Sequence, residues 1–110
     1  MKKPVRARAV RRPGAMNPTE AEYAQMLENR RLAGEIQMWQ FESIKLLLAP
    51  KLTYTPDFFV INADEQMELH EVKGFWRDDA KVKLKMAKEK FPFIFVVAQK
   101  VKKEWNIYEF

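Results

Sequence analysis

Apolar residues recur with helical spacing in the first part of the chain, which predicts a helix over residues 17–34. Asn17 can cap this helix, and Pro18 suits its first position because the N–H that proline lacks has no helical partner there. Gly34 is the kind of residue that commonly ends a helix. The inward stripe follows the i, i+4, i+7 pattern and consists of Glu20, Ala24 and Leu27. A carboxylate is therefore expected at the inward edge of the helix, where its burial requires a specific role.

Beyond this helix the apolar residues alternate with polar ones or run continuously, as they do in half-buried and buried strands. Strands are predicted over residues 36–42, 43–49, 52–61, 67–73, 91–99 and 105–110. A second, Lys-rich helix is predicted over residues 77–91, with Asp78 and Asp79 near its start, as the helix dipole favours. The alternation indicates an α/β fold with a mixed sheet and helices packed on it. The connection through the second helix is long enough for a parallel, right-handed crossover.

The composition excludes several classes of site. The chain has 110 residues, 47% of them hydrophobic, and no internal repeat, which indicates one domain with a core of its own. It contains no Cys and one His, which excludes thiol catalysis, disulfides and Cys- or His-rich metal sites. No apolar run approaches the ~18 residues of a membrane-spanning helix, and the N-terminus lacks the apolar block of a signal peptide. We therefore expect a cytoplasmic protein.

The net charge of +5 is unevenly distributed along the chain. Residues 1–16 contain six Lys or Arg and no acid, whereas residues 17–110 are nearly neutral. The first segment has Pro and Gly but no amphipathic period, so we expect it to be disordered when free and the folded domain to occupy residues 17–110. Such a segment either solubilises the chain or binds phosphates. Its lack of acids favours a phosphate-binding arm that includes Arg11 and Arg12.

Three charged residues stand where two β-patterned runs begin and end, namely Asp57, Glu71 and Lys73. Residues two apart in a strand point the same way, so Glu71 and Lys73 share one face of the fourth strand. If residues 62–66 form a hairpin turn, Asp57 lies opposite Glu71 or nearly so. Two such carboxylates repel unless a cation lies between them, and Mg²⁺ prefers oxygen ligands, to which the Val72 carbonyl can add. Lys73 can then orient or activate an attacking water, which suits phosphodiester hydrolysis.

The pairs "PD" at Pro56–Asp57 and "EVK" at Glu71–Lys73 resemble the PD-(D/E)xK signature of nucleases with the restriction-endonuclease-like fold. The segments "NPTEAEYAQML", "YTPDFFV" and "HEVKGFWRDDAKVKLKMA" are similar to a family of small phage-encoded proteins grouped with Holliday-junction resolvases, over about residues 17–98. This resemblance implies an αβββαβ core that binds one or two Mg²⁺ ions, for which Mn²⁺ substitutes. It implies that Asp57, Glu71, the Val72 carbonyl and Glu20 hold the metal, and that Lys73 is the catalytic lysine.

The helix after the ExK motif carries further candidates. In many such nucleases a basic residue of this helix contacts the cleaved phosphate, and the candidates here are Arg77, Lys81, Lys83 and Lys85. Trp76 can pack on the sheet or wedge against DNA bases, and packing is the favoured interpretation. Phe75 has the same two interpretations. His70 faces away from Glu71 and Lys73, so we expect a structural role for it.

Taken together, these features predict a Mg²⁺-dependent DNA endonuclease of phage type. The expected substrate is branched DNA, and the expected role is that of a Holliday-junction resolvase in recombination or replication. Two symmetric cuts in a junction require two sites, so we expect a C2 homodimer. Two alternatives stay open. One is a nuclease with another DNA target, in a nicking, restriction or exonuclease role, and the other is a non-catalytic DNA-binding protein with a degenerate nuclease fold.

Overall fold

The computed structural model describes residues 14–75 and 77–110. Within them the chain forms two helices and seven strands: α1 Pro18–Leu32, β1 Ile36–Phe41, β2 Leu46–Ala49, β3 Leu52–Tyr54, β4 Phe58–Asn62, β5 Met67–Lys73, α2 Asp78–Lys90, β6 Ile94–Val101 and β7 Glu104–Glu109. Three sequence predictions lie outside the described residues. They concern the disorder of most of the basic tail, the roles of Arg11 and Arg12, and the packing of Trp76.

The main sheet has five strands in the order β1-β4-β5-β6-β7. Strands β5 and β6 are parallel and are joined through α2, whereas the other neighbouring pairs are antiparallel. Strands β2 and β3 form a separate two-stranded sheet. The predicted mixed α/β fold is therefore confirmed, as is the parallel pairing of the two strands that flank the second helix.

The main sheet is covered on both faces. Helix α1 packs on one face, where its Tyr23 and Leu27 meet Phe58 and Val60 of β4. The β2–β3 hairpin and α2 cover the other face, where Leu69 of β5 joins a second apolar cluster. Successive strand residues point to opposite faces, so β5 sends side chains into both layers. The charged end of β5 thus lies between two packed layers of the protein.

Helix α1 follows the sequence prediction closely. The Asn17 side chain accepts a hydrogen bond from the Glu20 N–H, and the Glu20 carboxylate accepts one from the Asn17 N–H, which is a capping box. Gly34, with φ of +80°, follows the C-cap residue. The predicted inward stripe is buried, with Tyr23 beside it. Among the described residues, neither helix is long and apolar enough to cross a membrane.

The predicted strand over residues 52–61 is wrong as a single element. It divides into β3 and β4, which belong to different sheets. Pro56 lies in the break; it has no N–H for a strand ladder and restricts the backbone of Thr55 before it. The break leaves Asp57 at the entry to β4, one residue before the first paired position of that strand.

The hairpin turn predicted over residues 62–66 is confirmed. The Asn62 side-chain oxygen accepts hydrogen bonds from the N–H groups of Asp64 and Gln66, as in an Asx turn. The turn fixes the register of β4 against β5, which pairs Phe58 with His70. One step further along this register brings Asp57 opposite Glu71, as the residue count predicted.

Candidate active site

Asp57 is held between the strands on either side of β4. Its backbone carbonyl accepts a hydrogen bond of 2.9 Å from the Glu42 N–H at the end of β1. Its side-chain Oδ2 accepts one of 2.8 Å from the Val72 N–H of β5. The Asp57 carboxylate thus accepts the hydrogen bond that a backbone carbonyl would accept if the pairing of β4 with β5 continued. The sheet therefore fixes its position beside Glu71.

Glu71 is 8% exposed and has two side-chain partners. The Tyr54 hydroxyl donates a hydrogen bond of 2.6 Å to Oε1. The Lys73 ammonium lies 2.8 Å from Oε2. Glu71 and Lys73 thus share one face of β5, as predicted, and Tyr54 of β3 fixes the carboxylate from the hairpin side. Burial and the negative charge of Glu71 also raise the pKa of Tyr54 well above its usual value, so this hydroxyl keeps its proton.

The electrostatics around Asp57 disfavour its ionised form. Burial and then the charge of Glu71 raise the pKa of Asp57 to about 8, and the charge of Glu20 adds to this. The Val72 N–H and the Lys73 ammonium act in the opposite direction. Carboxylates therefore outweigh cations here, and a divalent cation would relieve their repulsion. Carboxylate oxygens are the ligands that Mg²⁺ prefers, so the donor set and its charge fit this ion.

Glu20 approaches from the opposite face of the sheet. It is 5% exposed on α1, and its carboxylate is turned back to the Asn17 N–H. Over residues 14–75 and 77–110, no group of three or more His, Asp or Glu side chains is arranged to hold a metal ion. The charge of Glu20 adds to the rise in the pKa of Asp57, but a ligand role would require its side chain to turn, so its place in the site stays a prediction.

A cleft of about 410 Å³ opens beside Glu71 and Lys73, between the hairpin and α2. Its lining consists of Thr53, Tyr54, Thr55, Glu71, Lys73, Asp79, Ala80 and Lys83. One wall is β3 and its continuation, and the other is the first part of α2. The cleft is open to solvent at the side chains of Glu71 and Lys73. A phosphate group can therefore reach Lys73 from outside.

The structure separates the basic residues that the sequence could not rank. Lys83 lines this cleft, whereas Lys81 and Lys85 line a second cleft of about 530 Å³ beside Tyr108 and Phe110. Arg77 is exposed ahead of α2 and lies 3.5 Å from the Asp79 carboxylate. Of the four candidates, Lys83 is thus the one that the fold brings to the Glu71–Lys73 pair.

Sequence reasoning missed the role of Tyr54. No strand period connects it to Asp57, because the chain leaves β3 directly after Tyr54. A buried aromatic hydroxyl near a carboxylate motif was the available signal. Of the two interpretations left open for Phe75, packing on the sheet does not fit, because its side chain is 78% exposed. His70 is buried and hydrogen-bonded to Tyr23 and Glu68 on the α1 side, in agreement with the structural role expected of it.

A comparison with curated proteins found no match, and neither did a comparison with solved structures. One family profile, described as "Protein of unknown function (DUF1064)", matches residues 16–108. The matched region spans both helices, the hairpin and the whole cleft, and it includes Asp57, Glu71 and Lys73. Since the match covers most of the chain, this protein belongs to the DUF1064 family of proteins of unknown function.

Proposed function

We propose that this protein is a Mg²⁺-dependent DNA endonuclease that hydrolyses phosphodiester bonds. The observation that carries the proposal is the pairing of Glu71 with Lys73 at one side of an open cleft, with the Asp57 carboxylate held on the Val72 N–H between these two residues of β5. An excess of largely buried carboxylates has a cost in free energy unless the site binds a cation. The position of this excess beside a cleft lined by Lys73 and Lys83 supports a catalytic role.

The element order supports a restriction-endonuclease-like core. Helix α1, strands β1, β4 and β5, helix α2 and strand β6 follow one another in the αβββαβ order that the PD-(D/E)xK resemblance implies. In this interpretation the β2–β3 hairpin is an insertion before the PD motif, and β7 is an added edge strand. The insertion supplies Tyr54 and one wall of the cleft, so it becomes part of the site.

Asp57, Glu71 and the Val72 carbonyl would hold the ion. The N–H and C=O of one strand residue point to the same edge of the strand, and the Val72 N–H is directed at Asp57. Its carbonyl is therefore expected on the side of Asp57, where β4 has not yet begun to pair. When bound, the ion would polarise the phosphate and activate a water molecule. Glu20 would act through its charge, or as a further ligand after its side chain turns.

Lys73 and Lys83 have separate roles in this proposal. The Lys73 ammonium donates to Glu71 and is partly exposed, so it can orient a water molecule and offset charge that develops on the phosphate. Lys83, on the wall of the cleft, can bind a phosphate oxygen of the same strand. Tyr54 keeps the Glu71 carboxylate in one orientation while these groups act.

The proposed substrate is branched DNA, and the proposed role is that of a Holliday-junction resolvase in phage recombination or replication. Residues 73–103 carry ten Lys or Arg and three acids, which supports binding to a phosphate backbone. Each chain has one candidate site, so paired cuts in a junction require a C2 homodimer. Sedimentation at micromolar concentration tests this state; a monomer both free and on a junction would contradict it.

The decisive experiment incubates the wild type, Asp57→Ala and Lys73→Ala with labelled four-way junction, linear duplex and single-stranded DNA. Each reaction contains Mg²⁺, Mn²⁺ or EDTA. Lys90→Ala is the matched control, because it removes an exposed lysine at the far end of α2. Paired cuts in the junction that require the metal and both site residues are the expected result. Cleavage of linear DNA instead would support the proposed site and contradict the proposed substrate.

One observation favours a second candidate, a DNA-binding protein without catalysis. The Glu71 carboxylate already has the Tyr54 hydroxyl and the Lys73 ammonium as partners within the protein. A protein of this kind would bind junction DNA and cut no substrate with either metal. Its affinity for DNA would be the same or higher in Asp57→Ala, since that substitution removes a negative charge near the phosphate.

A further inference from the structure

Phe75 is the most exposed of the large hydrophobic residues in the described part of the chain, at 78%. It lies in the connection between β5 and α2, two residues after Lys73. Lys73 and Asp79, which flank this connection, both line the cleft. Phe75 therefore lies in a connection whose two ends border the cleft, and its exposed ring contributes nothing to the core.

We propose that Phe75 stacks on an unpaired base next to the phosphate that the site cleaves. This inference rests on the proposed function and names the feature of DNA that the site recognises. A base inside a continuous duplex has both faces covered by its neighbours, so a protein ring cannot stack on it unless the base leaves the stack. An unpaired base at a branch point, a bulge or a single strand offers a free face.

The distances along the backbone suit this role. Consecutive Cα atoms are 3.8 Å apart, so the Cα atoms of Phe75 and Lys73 are separated by at most about 7.6 Å. Phosphates of one strand advance by about 3.4 Å per nucleotide along a duplex axis. Two nucleotide steps thus span the connection from the lysine to the ring. A strand whose phosphate contacts Lys73 can therefore place a base within about two nucleotides of that phosphate near Phe75.

The charges around Phe75 favour nucleic acid over a protein partner. Lys73 and Lys83 line the cleft next to this connection, together with Glu71 and Asp79, and the exposed Arg77 follows two residues after Phe75. An aromatic ring among cations is the combination with which proteins bind single strands, since the cations hold the phosphates and the ring holds the base. Lys73 and Arg77 have carboxylate partners in Glu71 and Asp79, but residues 73–103 carry ten Lys or Arg and three acids, so this part of the chain has a positive excess that suits phosphates.

The test measures DNA binding in EDTA, so that no strand is cut, with the fluorescent base 2-aminopurine at or beside the branch point. The proteins are the wild type, Phe75→Ala, Phe75→Leu and Phe75→Trp. Val82→Ala is the control, because Val82 is also an exposed hydrophobic, at 54%, and lies on α2 away from this cleft. Circular dichroism verifies that every variant is folded, as the exposure of both side chains leads us to expect.

For wild type and Phe75→Trp we expect a change in 2-aminopurine fluorescence at one unpaired position. Phe75→Ala should bind DNA with an unpaired nucleotide about 5- to 150-fold more weakly, the range typical of one lost stacking contact. Its affinity for fully paired duplex should change by no more than about 2-fold, as for other surface substitutions. Phe75→Leu should behave like Phe75→Ala, because it keeps an apolar side chain and loses the ring.

The results distinguish the inference from the function on which it rests. Equal binding of unpaired DNA by wild type and Phe75→Ala, or full retention by Phe75→Leu, would overturn the stacking role even if the protein cuts DNA. Selective loss of unpaired DNA by Phe75→Ala, in a protein that never cuts with Mg²⁺ or Mn²⁺, would support the stacking role and overturn the nuclease. A wild type that binds no DNA would overturn both.

Discussion

Strand β5 carries two polar clusters, one on each face, and the difference between them separates structure from chemistry. On the α1 face His70 is 1% exposed and bonded through both ring nitrogens, to the Tyr23 hydroxyl at 2.6 Å and to the Glu68 carboxylate at 2.7 Å. On the hairpin face Glu71 is almost as buried and also has two partners. Burial and hydrogen bonding alone do not distinguish the two.

The charges do distinguish them. In the His70 cluster, the hydrogen bond from His70 and then that from Asn62 lower the pKa of Glu68, so the surroundings favour its charge. In the Glu71 cluster, burial and the neighbouring carboxylates raise the pKa of Asp57 to about 8, so the surroundings oppose its charge. The first cluster is complete in the protein alone. The second lies beside a cleft and would become balanced if a cation bound, which is the property expected of the proposed site.

The largest expected effect is the loss of cleavage in Lys73→Ala. Lys73 is the cation at the site, and the loss of one such charge-stabilising donor lowers the rate by about 10²- to 10³-fold. Single-turnover cleavage of junction DNA measures it, and urea unfolding measures stability in parallel. A rate within a few-fold of wild type would show that the Glu71 cluster is as purely structural as the His70 cluster.

His70→Ala should have the largest effect on stability. It leaves the Tyr23 hydroxyl and the Glu68 carboxylate without their partner and opens a cavity, so we expect about 2–4 kcal/mol lower free energy of unfolding. Met67→Ala, an exposed position on the same strand, should change it by less than about 0.5 kcal/mol. Urea denaturation measures both. Loss of DNA cleavage in the folded fraction of His70→Ala would show that the cluster on the α1 face is also needed for activity.

The positions of the two clusters could largely be predicted from the sequence. Period 2 assigned His70 and Glu71 to opposite faces, and the turn at residues 62–66 fixed which residue lies opposite Asp57. The stripe of α1 predicted a buried Glu20. These predictions depend on local spacing, which a sequence displays directly.

The groups that complete the clusters could not be predicted, because they come from long-range packing. The strand is interrupted at Pro56, so β3 belongs to a separate sheet, and from there the Tyr54 hydroxyl contacts Glu71. The β2–β3 hairpin forms one wall of the cleft, and the face of α2 that lies opposite it carries Lys83. Lys85 lies on the second cleft instead. No pattern within either segment encodes these contacts.

Two tyrosines offer a matched pair of smaller substitutions. Tyr54→Phe and Tyr23→Phe each remove one buried hydroxyl whose hydrogen bond is 2.6 Å long. We expect Tyr54→Phe to lower metal affinity or activity by about 10- to 100-fold, as the loss of a group that orients a metal ligand does. Tyr23→Phe should lower stability by about 1–3 kcal/mol and leave metal affinity unchanged.

Calorimetric titration with Mn²⁺ and single-turnover cleavage compare the two tyrosine variants. Equal losses of metal affinity in both variants would contradict this comparison, because the hydrogen bond described for the Tyr23 hydroxyl is with His70 on the α1 face. It would also be broken if Tyr54→Phe bound the metal as wild type does, because Glu71 would then not depend on its hydroxyl partner.

The pH dependence of stability without metal compares the two clusters directly, because their contributions have opposite signs. Between about pH 4 and 8 folded Asp57 holds a proton that the unfolded chain, with a pKa near 3.8, releases. Stability therefore falls as pH rises through this range, by at most about 1.4 kcal/mol per pH unit. Glu68 has a lowered pKa, so its contribution is present above pH 4.5 and is lost as pH falls.

Urea unfolding in EDTA across this pH range separates the two contributions. Asp57→Asn cannot ionise, so its stability should stay level as pH rises towards 8, while Glu68→Gln should retain the wild-type fall there and lose less stability in acid. Added Mg²⁺ should stabilise the wild type more as pH rises, because the metal binds the ionised carboxylate. If Asp57→Asn and wild type had the same pH profile, the carboxylates on the hairpin face would not be in excess, and the argument for a cation there would lose its physical basis.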